Sequence, residues 1–425
     1  MAGDISQERP YDEIDLTTRA FWALSAAERE ERFAVLRERR PISWQRPVRR
    51  PMFPHLPDPG YWAVVCYDDI VEVSRTPEVF GSGEGVQLQT VPPEFNEESQ
   101  SFIAMDHPRH TKLRKLVSSA FTPRQVQRLE DRINANAATI VEDLAVLGSG
   151  TDFVAHCSGR LPAQTIADMI GIPEQERDQV VHHANATAQS GDPAFRAGRD
   201  PFEIILEAQT YFQNTAIAMA EQRRREPADD LMTRLAQAEV DGDRLTDLEI
   251  GAFFVLLSIA GNDTTRQTTS HTLKALTDFP EQRAWLMEDF EGRIGRAVEE
   301  FIRWASPVMT FRRTALADTE LHGQKIAAGE KVVMFYPSGN RDPKVFADPG
   351  RFDLARDPNP HVGFGGGGPH FCLGAQVAKT QLRAIFRELL HRLPDIRAGE
   401  PDYLTGSAIF HGVKSMPCTF TAAGS

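Results

Sequence analysis

The sequence has few cysteines and no long apolar run. Its four cysteines, Cys66, Cys157, Cys372 and Cys418, lie far apart, and none belongs to a Cys-x-x-Cys pair. This spacing argues against a disulfide framework and a zinc site, and it fits a reducing compartment. The longest apolar run, Gly251 to Gly261, is shorter than the ~18 residues that a membrane-spanning helix needs. We therefore expect a cytoplasmic protein without a transmembrane anchor.

Positive charge is scarce in the chain as a whole. The 425 residues include 47 Lys and Arg against 60 Asp and Glu, which gives a formal net charge of −13. This balance argues against a nucleic-acid partner. The segment from His107 to Leu129 differs, because it has six basic residues and no acidic one. Such a run is commonly a solvated helix face, and it also suits the docking of an acidic protein.

Internal repeats, low-complexity tracts and Gly/Ser linkers are absent, which indicates a single domain over residues 1–425. The proline-rich stretch Pro41 to Pro59 indicates an N-terminal wrap over residues 1–60. Helical patterns dominate, so the fold class is mainly α with a small β part. Thr246 and Glu249 form a capping box that opens a helix of about 30 residues. Further predicted elements are helices at 109–119, 123–147, 207–225, 281–304 and 375–392, and strands at 62–66, 331–335 and around 409 and 420.

The most informative segment is the glycine-rich loop Gly363–Gly374, which presents Cys372 just before a predicted helix. Glycines let the backbone lie close to a flat ring system, and the positive end of the helix favours a thiolate. The loop therefore indicates a haem-thiolate site. Two other interpretations stay open at this point, a dinucleotide-binding loop with the spacing Gly363-x-Gly365-x-x-Gly368 and an inert buried thiol.

Two helical motifs carry further chemistry. In the long helix, Gly261 costs about 1 kcal/mol relative to alanine, which suggests a close backbone approach at this position. Thr264 can bond back to the carbonyl of Ala260 and open the helix slightly, and Asp263 could relay protons. A tight helix crossing with surface polar groups explains the same residues.

The second motif is Glu300-x-x-Arg303, which places the two side chains on one helix face. A surface pair is the ordinary interpretation, but the neighbouring residues are apolar and indicate a buried pair that needs further partners. Arg351 could join this cluster through the carboxylate.

Taken together and in this order, Ala260-Gly261-x-x-Thr264, Glu300-x-x-Arg303, Arg351-Phe352 and the Cys372 loop resemble the cytochrome P450 monooxygenases. The resemblance covers nearly the whole chain and implies the P450 fold, a triangular prism of helices around haem b. It implies Cys372 as the ligand of the haem iron, Asp263 and Thr264 as the catalytic pair, and a structural cluster of Glu300, Arg303 and Arg351. Of the remaining cofactor-binding residues that it implies, four would hold the haem propionates: His110, Arg114, Arg313 (with Arg312 as the alternative) and His370. The others are Ala260, Gly261, Phe364 and Gly374.

The loop departs from the usual pattern, because seven residues rather than six separate Phe364 from Cys372. The longer form is similar to that of the mycobacterial methyl-branched-lipid ω-hydroxylases and cholesterol/cholestenone 27-hydroxylases. This implies hydroxylation of a hydrophobic substrate at a terminal carbon with O2. The mainly apolar walls of the substrate site would be the loop 86–102, the helix face of Phe254, Ser258 and Ala260, the segment 308–311 and the turn 409–410. Electrons would come from a ferredoxin and an NAD(P)H-dependent ferredoxin reductase, and the protein would be a monomer. The alternatives are a terpenoid or polyketide hydroxylase, a peroxide-driven haem-thiolate enzyme and a non-catalytic haem-binding sensor.

Overall fold

The computed structural model describes residues 9–49, 52–94, 96, 101–118, 121, 123–240, 242–404 and 407–421, without the side chains of residues 123–126, 128 and 240. Helices make up most of the described chain, which confirms the predicted fold class. The α-helices are α1 (Arg19–Trp22), α2 (Ala26–Arg39), α3 (Tyr67–Arg75), α4 (Arg109–Ser118), α5 (Pro123–Leu147), α6 (Arg160–Ile170), α7 (Glu174–Gln189), α8 (Pro193–Arg196), α9 (Pro201–Arg225), α10 (Leu231–Gln237), α11 (Asp247–Asp278), α12 (Pro280–Glu288), α13 (Phe290–Ala305), α14 (Tyr336–Gly339) and α15 (Ala375–Arg392).

The strands form one larger sheet and several hairpin-sized ones. They are β1 (Ile42–Gln45), β2 (Tyr61–Val64), β3 (Phe80–Gly81), β4 (Glu239–Val240), β5 (Asp243–Arg244), β6 (Thr310–Ala315), β7 (Thr319–Leu321), β8 (Gln324–Ile326), β9 (Lys331–Phe335), β10 (Arg397–Ala398), β11 (Asp402–Tyr403), β12 (Val413–Ser415) and β13 (Cys418–Thr419). The larger sheet has the order β1-β2-β9-β6-β3, in which only β2 and β9 run parallel. The pairs β4-β5, β7-β8, β10-β13 and β11-β12 form the small sheets.

Helix α11 organises the helical part of the fold. Thr246 accepts the N–H of Glu249, and the Glu249 carboxylate accepts the N–H of Thr246, so the predicted capping box is present. The helix continues to Asp278, as predicted, and contacts α6, α7, α9, α13 and α15. Its central turns therefore lie inside the protein. Of the described helices, none is both long and hydrophobic enough to span a membrane.

Several predicted boundaries need correction. Helix α9 begins at Pro201 rather than at residue 207, because Asp200 caps it and proline suits the first turn. The predicted helix 281–304 is two helices, α12 and α13. They are separated at Asp289, whose carboxylate accepts the N–H of Gly292 and starts the second helix. Helix α7 and strand β6, which both contribute to the site below, were not predicted.

Candidate active site

The loop that carries Cys372 folds back onto helix α3. Gly365, Gly367 and Gly368 have positive φ angles of 97°, 97° and 72°. A Cβ atom on Gly368 would lie 2.1 Å from the carbonyl oxygen of Ser74. Side chains at these positions would therefore prevent the fold of the loop. Residues 340–374, all of them described, contain no strand, so the loop lacks the strand that should precede a dinucleotide-binding motif.

Cys372 is exposed, whereas the other three cysteines are buried. Its N–H donates to the carbonyl of Phe364 over 3.0 Å, which closes the loop. The surrounding protein raises the pKa of the thiol by desolvation, while an N–H bond from Gly374 and the charge of Arg114 lower it. A bound metal ion displaces the thiol proton outright. An accessible thiol at the start of α15 is thus suited to ligate a metal, and the interpretation as an inert buried thiol is wrong.

The four residues assigned to haem propionates lie close together. The rings of His110 and His370 are 4.2 Å apart between their centroids, and Arg114 donates from Nη2 to the Phe371 carbonyl over 2.5 Å. Burial, together with the positive charge of Arg114, lowers the pKa of His110 to about 4. Burial and the charge of Arg313 likewise lower the pKa of His370. The Nε2 atom of His110 is buried without a hydrogen-bond partner. This cluster of cations and imidazoles would be stabilised by an anion.

Strand β6 distinguishes Arg313 from Arg312. Successive side chains of a strand point to opposite faces. Arg313 lies close enough to His110 and His370 to influence the pKa of both. Arg312 instead lies near Asp58, which raises its pKa against the lowering effect of burial. Arg313, rather than Arg312, therefore belongs to this anion-binding cluster.

The central turns of α11 expose one narrow face. Ala260 is exposed and Thr264 is half-buried, whereas Asp263 is fully buried. Thr264 Oγ1 donates to the carbonyl of Ala260 over 2.8 Å, as predicted, although the helix remains regular. A Cβ atom on Gly261 would lie 2.4 Å from Cδ1 of Ile166 in α6. Gly261 thus permits a tight helix crossing, which is the close backbone approach that the sequence predicts.

Asp263 forms a buried ion pair with an arginine of its own helix. Arg266 Nη2 donates to Oδ1 of Asp263, and Arg266 Nη1 donates to Oδ1 of Asn185 in α7 over 2.5 Å. Asp263 Oδ2 has no hydrogen-bond partner. Burial raises the pKa of Asp263, while the charge of Arg266 and the nearby side-chain amide of Gln267 oppose this shift. Nε2 of Gln267 is itself buried without a hydrogen bond. Arg266 and Asn185 were missed in the sequence, although the spacing of Asp263 and Arg266 signals an i, i+3 pair.

The Glu300 cluster is buried and complete, but one predicted member is wrong. Arg303 binds both carboxylate oxygens of Glu300 at 2.7 Å. The second guanidinium is that of Arg356, whose Nε lies 3.2 Å from Glu300 Oε2. The side chain of Arg351 is exposed, and this residue contributes only its carbonyl, to Arg303 and Arg356. Asn359 adds a bond of 3.0 Å to Oε2.

The basic run is partly neutralised by the chain itself. Lys112 forms an ion pair with Asp243 of β5, and Arg109 lies 3.8 Å from Glu249. Lys115 is exposed. The side chains of residues 124 and 128, which belong to the same predicted patch, lie outside the described part of the structure. Among the described side chains of the run, Arg109 and Lys112 are therefore partly neutralised by acidic residues of the same chain.

Two of the predicted walls of a substrate site are in contact. The N–H of Met309 donates to the carbonyl of Ile409 over 2.8 Å, and Val308 forms a β-bridge with Phe410. Phe254 is buried against Phe212 of α9, with ring centroids 6.0 Å apart. Residues 95 and 97–100 of the predicted wall 86–102 lie outside the described residues.

These features fit a haem. The exposed thiol of Cys372 offers one metal ligand, and the unpaired buried Nε2 of His110 lies among the cations that a carboxylate-bearing ring needs. The exposed Ala260 and the half-buried Thr264 leave part of the central helix accessible. The residues present therefore match the donor set of a haem-thiolate centre.

Comparison with known proteins agrees with this reading. Residues 196–394 match the family model described as Cytochrome P450. The chain is 43% identical to the methyl-branched lipid omega-hydroxylase of Mycobacterium bovis over 97% of this chain and 96% of the relative. It is 40% identical to the steroid C26-monooxygenase of Mycolicibacterium smegmatis over 93% of this chain and 91% of that protein.

A solved structure is more similar still. Cytochrome P450 CYP268A2 of Mycobacterium marinum, in complex with pseudoionone, is 60% identical in sequence. It superposes with a TM-score of 0.94 over 97% of this chain and 99% of its own. The P450 fold and the resemblance to the mycobacterial lipid and sterol hydroxylases are thereby confirmed. The chain belongs to the cytochrome P450 family and is a P450 monooxygenase.

Proposed function

We propose that this monooxygenase hydroxylates a terminal carbon of a methyl-branched lipid, an isoprenoid or a sterol side chain. The observation that carries the proposal is the joined wall of residues 308–311 and 409–410, which is mainly apolar. An apolar wall with few polar groups holds a hydrocarbon chain by burial rather than by specific hydrogen bonds. The names of the relatives, a methyl-branched lipid omega-hydroxylase and a steroid C26-monooxygenase, support the same substrate class.

The cofactor of this proposal is haem b. Cys372 would ligate its iron, and His110, Arg114, Arg313 and His370 would hold its propionates. When bound, a haem-thiolate activates O2 and supplies the oxidation that inserts one oxygen atom into a C–H bond. The loop glycines and Phe364 keep the sulfur just before the start of α15, where Gly374 donates an N–H to it.

Asp263 and Thr264 would manage protons in this site. Thr264 is half-buried, and its hydroxyl donates to the Ala260 carbonyl, so its oxygen can accept a further hydrogen bond. Asp263 is adjacent in the chain, and Oδ2 has no partner that would have to be displaced before it takes up a proton. Thr264→Ala should divert NADH-derived electrons to hydrogen peroxide, whereas Thr264→Ser should retain coupling. Full coupling in the alanine variant would contradict the assignment.

Electrons would come from an acidic ferredoxin with its NAD(P)H-dependent reductase. The exposed Lys115 lies on α4, the helix that also carries His110 and Arg114. An acidic partner docking there would be steered by charge. We expect Lys115→Glu combined with Arg124→Glu to slow reduction several-fold without changing substrate affinity. Lys325→Glu combined with Arg397→Glu, an equal charge change at two exposed residues of β8 and β10, is the control, and equal reduction rates in both double variants would refute the patch.

We further propose that residues 1–425 form one domain and act as a monomer in the cytoplasm. The free thiols of all four cysteines fit a reducing compartment. Sedimentation at micromolar concentration tests the monomer, and a dimer would contradict it.

A terpenoid hydroxylase is the second candidate, because the similar Mycobacterium marinum structure holds pseudoionone. A spectral-shift titration with a branched fatty acid, pseudoionone and a sterol side-chain analogue separates the two. Tightest binding and terminal hydroxylation of the branched acid or the sterol support the lipid assignment. If pseudoionone binds most tightly and is the one compound of the three that is hydroxylated, the second candidate is favoured. Absence of NADH-dependent product with all three would contradict both.

A further inference from the structure

Two complementary atoms of the Asp263–Arg266 pair are buried and make no hydrogen bond. They are the acceptor Oδ2 of Asp263 and the donor Nε of Arg266. An arginine and a carboxylate commonly form two parallel hydrogen bonds, which would satisfy both atoms. Each buried polar atom left unpaired costs about 1–3 kcal/mol. Something must therefore hold the guanidinium away from the two-bond arrangement.

The restraint comes from outside the helix that carries the pair. Arg266 Nη1 donates to Asn185 Oδ1 in α7 over 2.5 Å. The side chain of Arg266 is only 8% exposed. The guanidinium is thus held at its head by Asn185 of α7 in a buried environment.

We propose that Asn185 is a positioning residue that keeps the Asp263–Arg266 pair at one hydrogen bond and so leaves Asp263 Oδ2 free to exchange a proton. The inference rests on the proposed role of Asp263 as a proton carrier. Asn185 makes no hydrogen bond to a reacting atom in this scheme, and it acts only through Arg266. Because a second hydrogen bond to a cation favours the ionised carboxylate, closing the pair would lower the pKa of Asp263.

Two substitutions at one position test the proposal with opposite expected signs. Asn185→Leu keeps a similar volume but removes the acceptor, so Nε of Arg266 should reach Oδ2 of Asp263. Lowering the pKa of Asp263 by one unit reduces its protonated fraction roughly tenfold at any pH well above that pKa. The amount of product per NADH should therefore fall, and the pH dependence of this ratio should move to lower pH. Asn185→Asp keeps the acceptor and adds negative charge, which should move the pH dependence upward.

The measurements are product and peroxide per NADH between pH 5 and 9, and crystal structures of both variants. Thr187→Val in the same helix is the matched control, because it removes a hydrogen bond to His183 that does not involve Arg266. We expect the Asn185→Leu structure to show Arg266 Nε within about 3.2 Å of Asp263 Oδ2. Adding Asn185→Leu to Asp263→Asn should have no further effect.

Each of the following outcomes supports or refutes the positioning role of Asn185. Opposite pH shifts for the two Asn185 variants, with the control unchanged, support the proposal, because a merely structural role would move both in one direction. If Asp263→Asn abolishes the pH dependence but neither Asn185 variant shifts it, the positioning role is refuted and the proposed function stands. If Asp263→Asn changes neither coupling nor its pH dependence, the proton role of Asp263 is refuted and the inference falls with it.

Discussion

Two buried carboxylates in this protein each pair with an arginine three residues later, and only one pair is complete. Glu300 holds Arg303 with two bonds of 2.7 Å and also accepts from Arg356 and Asn359. Asp263 accepts from Arg266 through one oxygen, and its other oxygen has no partner. The same i, i+3 spacing thus gives two different results.

The difference lies in what surrounds each arginine. Arg303 also donates to the carbonyls of Asn340, Pro349 and Arg351, so every donor of its guanidinium is used. Arg266 shares its donors with Asn185 and leaves Nε unpaired. A fully satisfied network rigidifies its surroundings, whereas the Asp263 network keeps a buried carboxylate oxygen without a hydrogen bond. We infer that the first network maintains the fold beside the Cys372 loop and that the second serves proton transfer.

The largest expected effect is the loss of the Glu300 carboxylate. Glu300→Gln places an amide NH2 against the donors of Arg303 and leaves buried cations without a counter-charge. We expect the free energy of unfolding to fall by about 3–5 kcal/mol. Asp263→Asn is the matched substitution and should cost less, about 1–3 kcal/mol, because a single hydrogen bond joins Asp263 to Arg266 and burial already disfavours the charged acid. Denaturant unfolding of both variants at equal haem content measures this contrast, and similar losses would show that the two pairs are equivalent.

The sequence supports the Glu300–Arg303 pair because both residues lie on one predicted helix. It does not identify Arg356, since that contact depends on how residues 340–359 fold back onto α13, and no local pattern encodes this path. Arg351 is part of the Arg351-Phe352 motif and Arg356 is not, yet only the backbone of Arg351 reaches the cluster. Long-range contacts within irregular segments are therefore the weakest part of the sequence-based interpretation.

The same limit explains two results around α11. The sequence predicts a close approach at Gly261, and the neighbour is Ile166 of α6, which only the tertiary structure shows. Asn185 was missed because α7 was not predicted, so nothing linked it to Arg266. The choice between Arg312 and Arg313 would have followed from strand alternation, had β6 been predicted.

A smaller effect should separate Arg356 from Arg351. Arg356→Met removes a guanidinium that binds Glu300 and the carbonyls of Ala347 and Asp348, and it leaves the buried Glu300 carboxylate with one cation fewer. We expect a loss of about 2 kcal/mol in the free energy of unfolding. Arg351→Met changes an exposed side chain and should stay within about 0.5 kcal/mol. A larger loss for Arg351→Met would restore the original assignment.

The smallest effect concerns the pH dependence of stability. Burial raises the pKa of Asp263 above its ordinary 3.8, although the charge of Arg266 offsets part of the shift. The native state therefore binds this proton more tightly than the unfolded chain, so acidification should stabilise the wild type relative to Asp263→Asn. The gain should begin as pH falls through the raised pKa and level off near 3.8, where the unfolded carboxyl is also protonated. Unfolding free energies of both proteins from pH 7 to 4 measure the difference, and a wild type that loses stability relative to the variant would mean that Arg266 outweighs burial and that the pair is closed in solution.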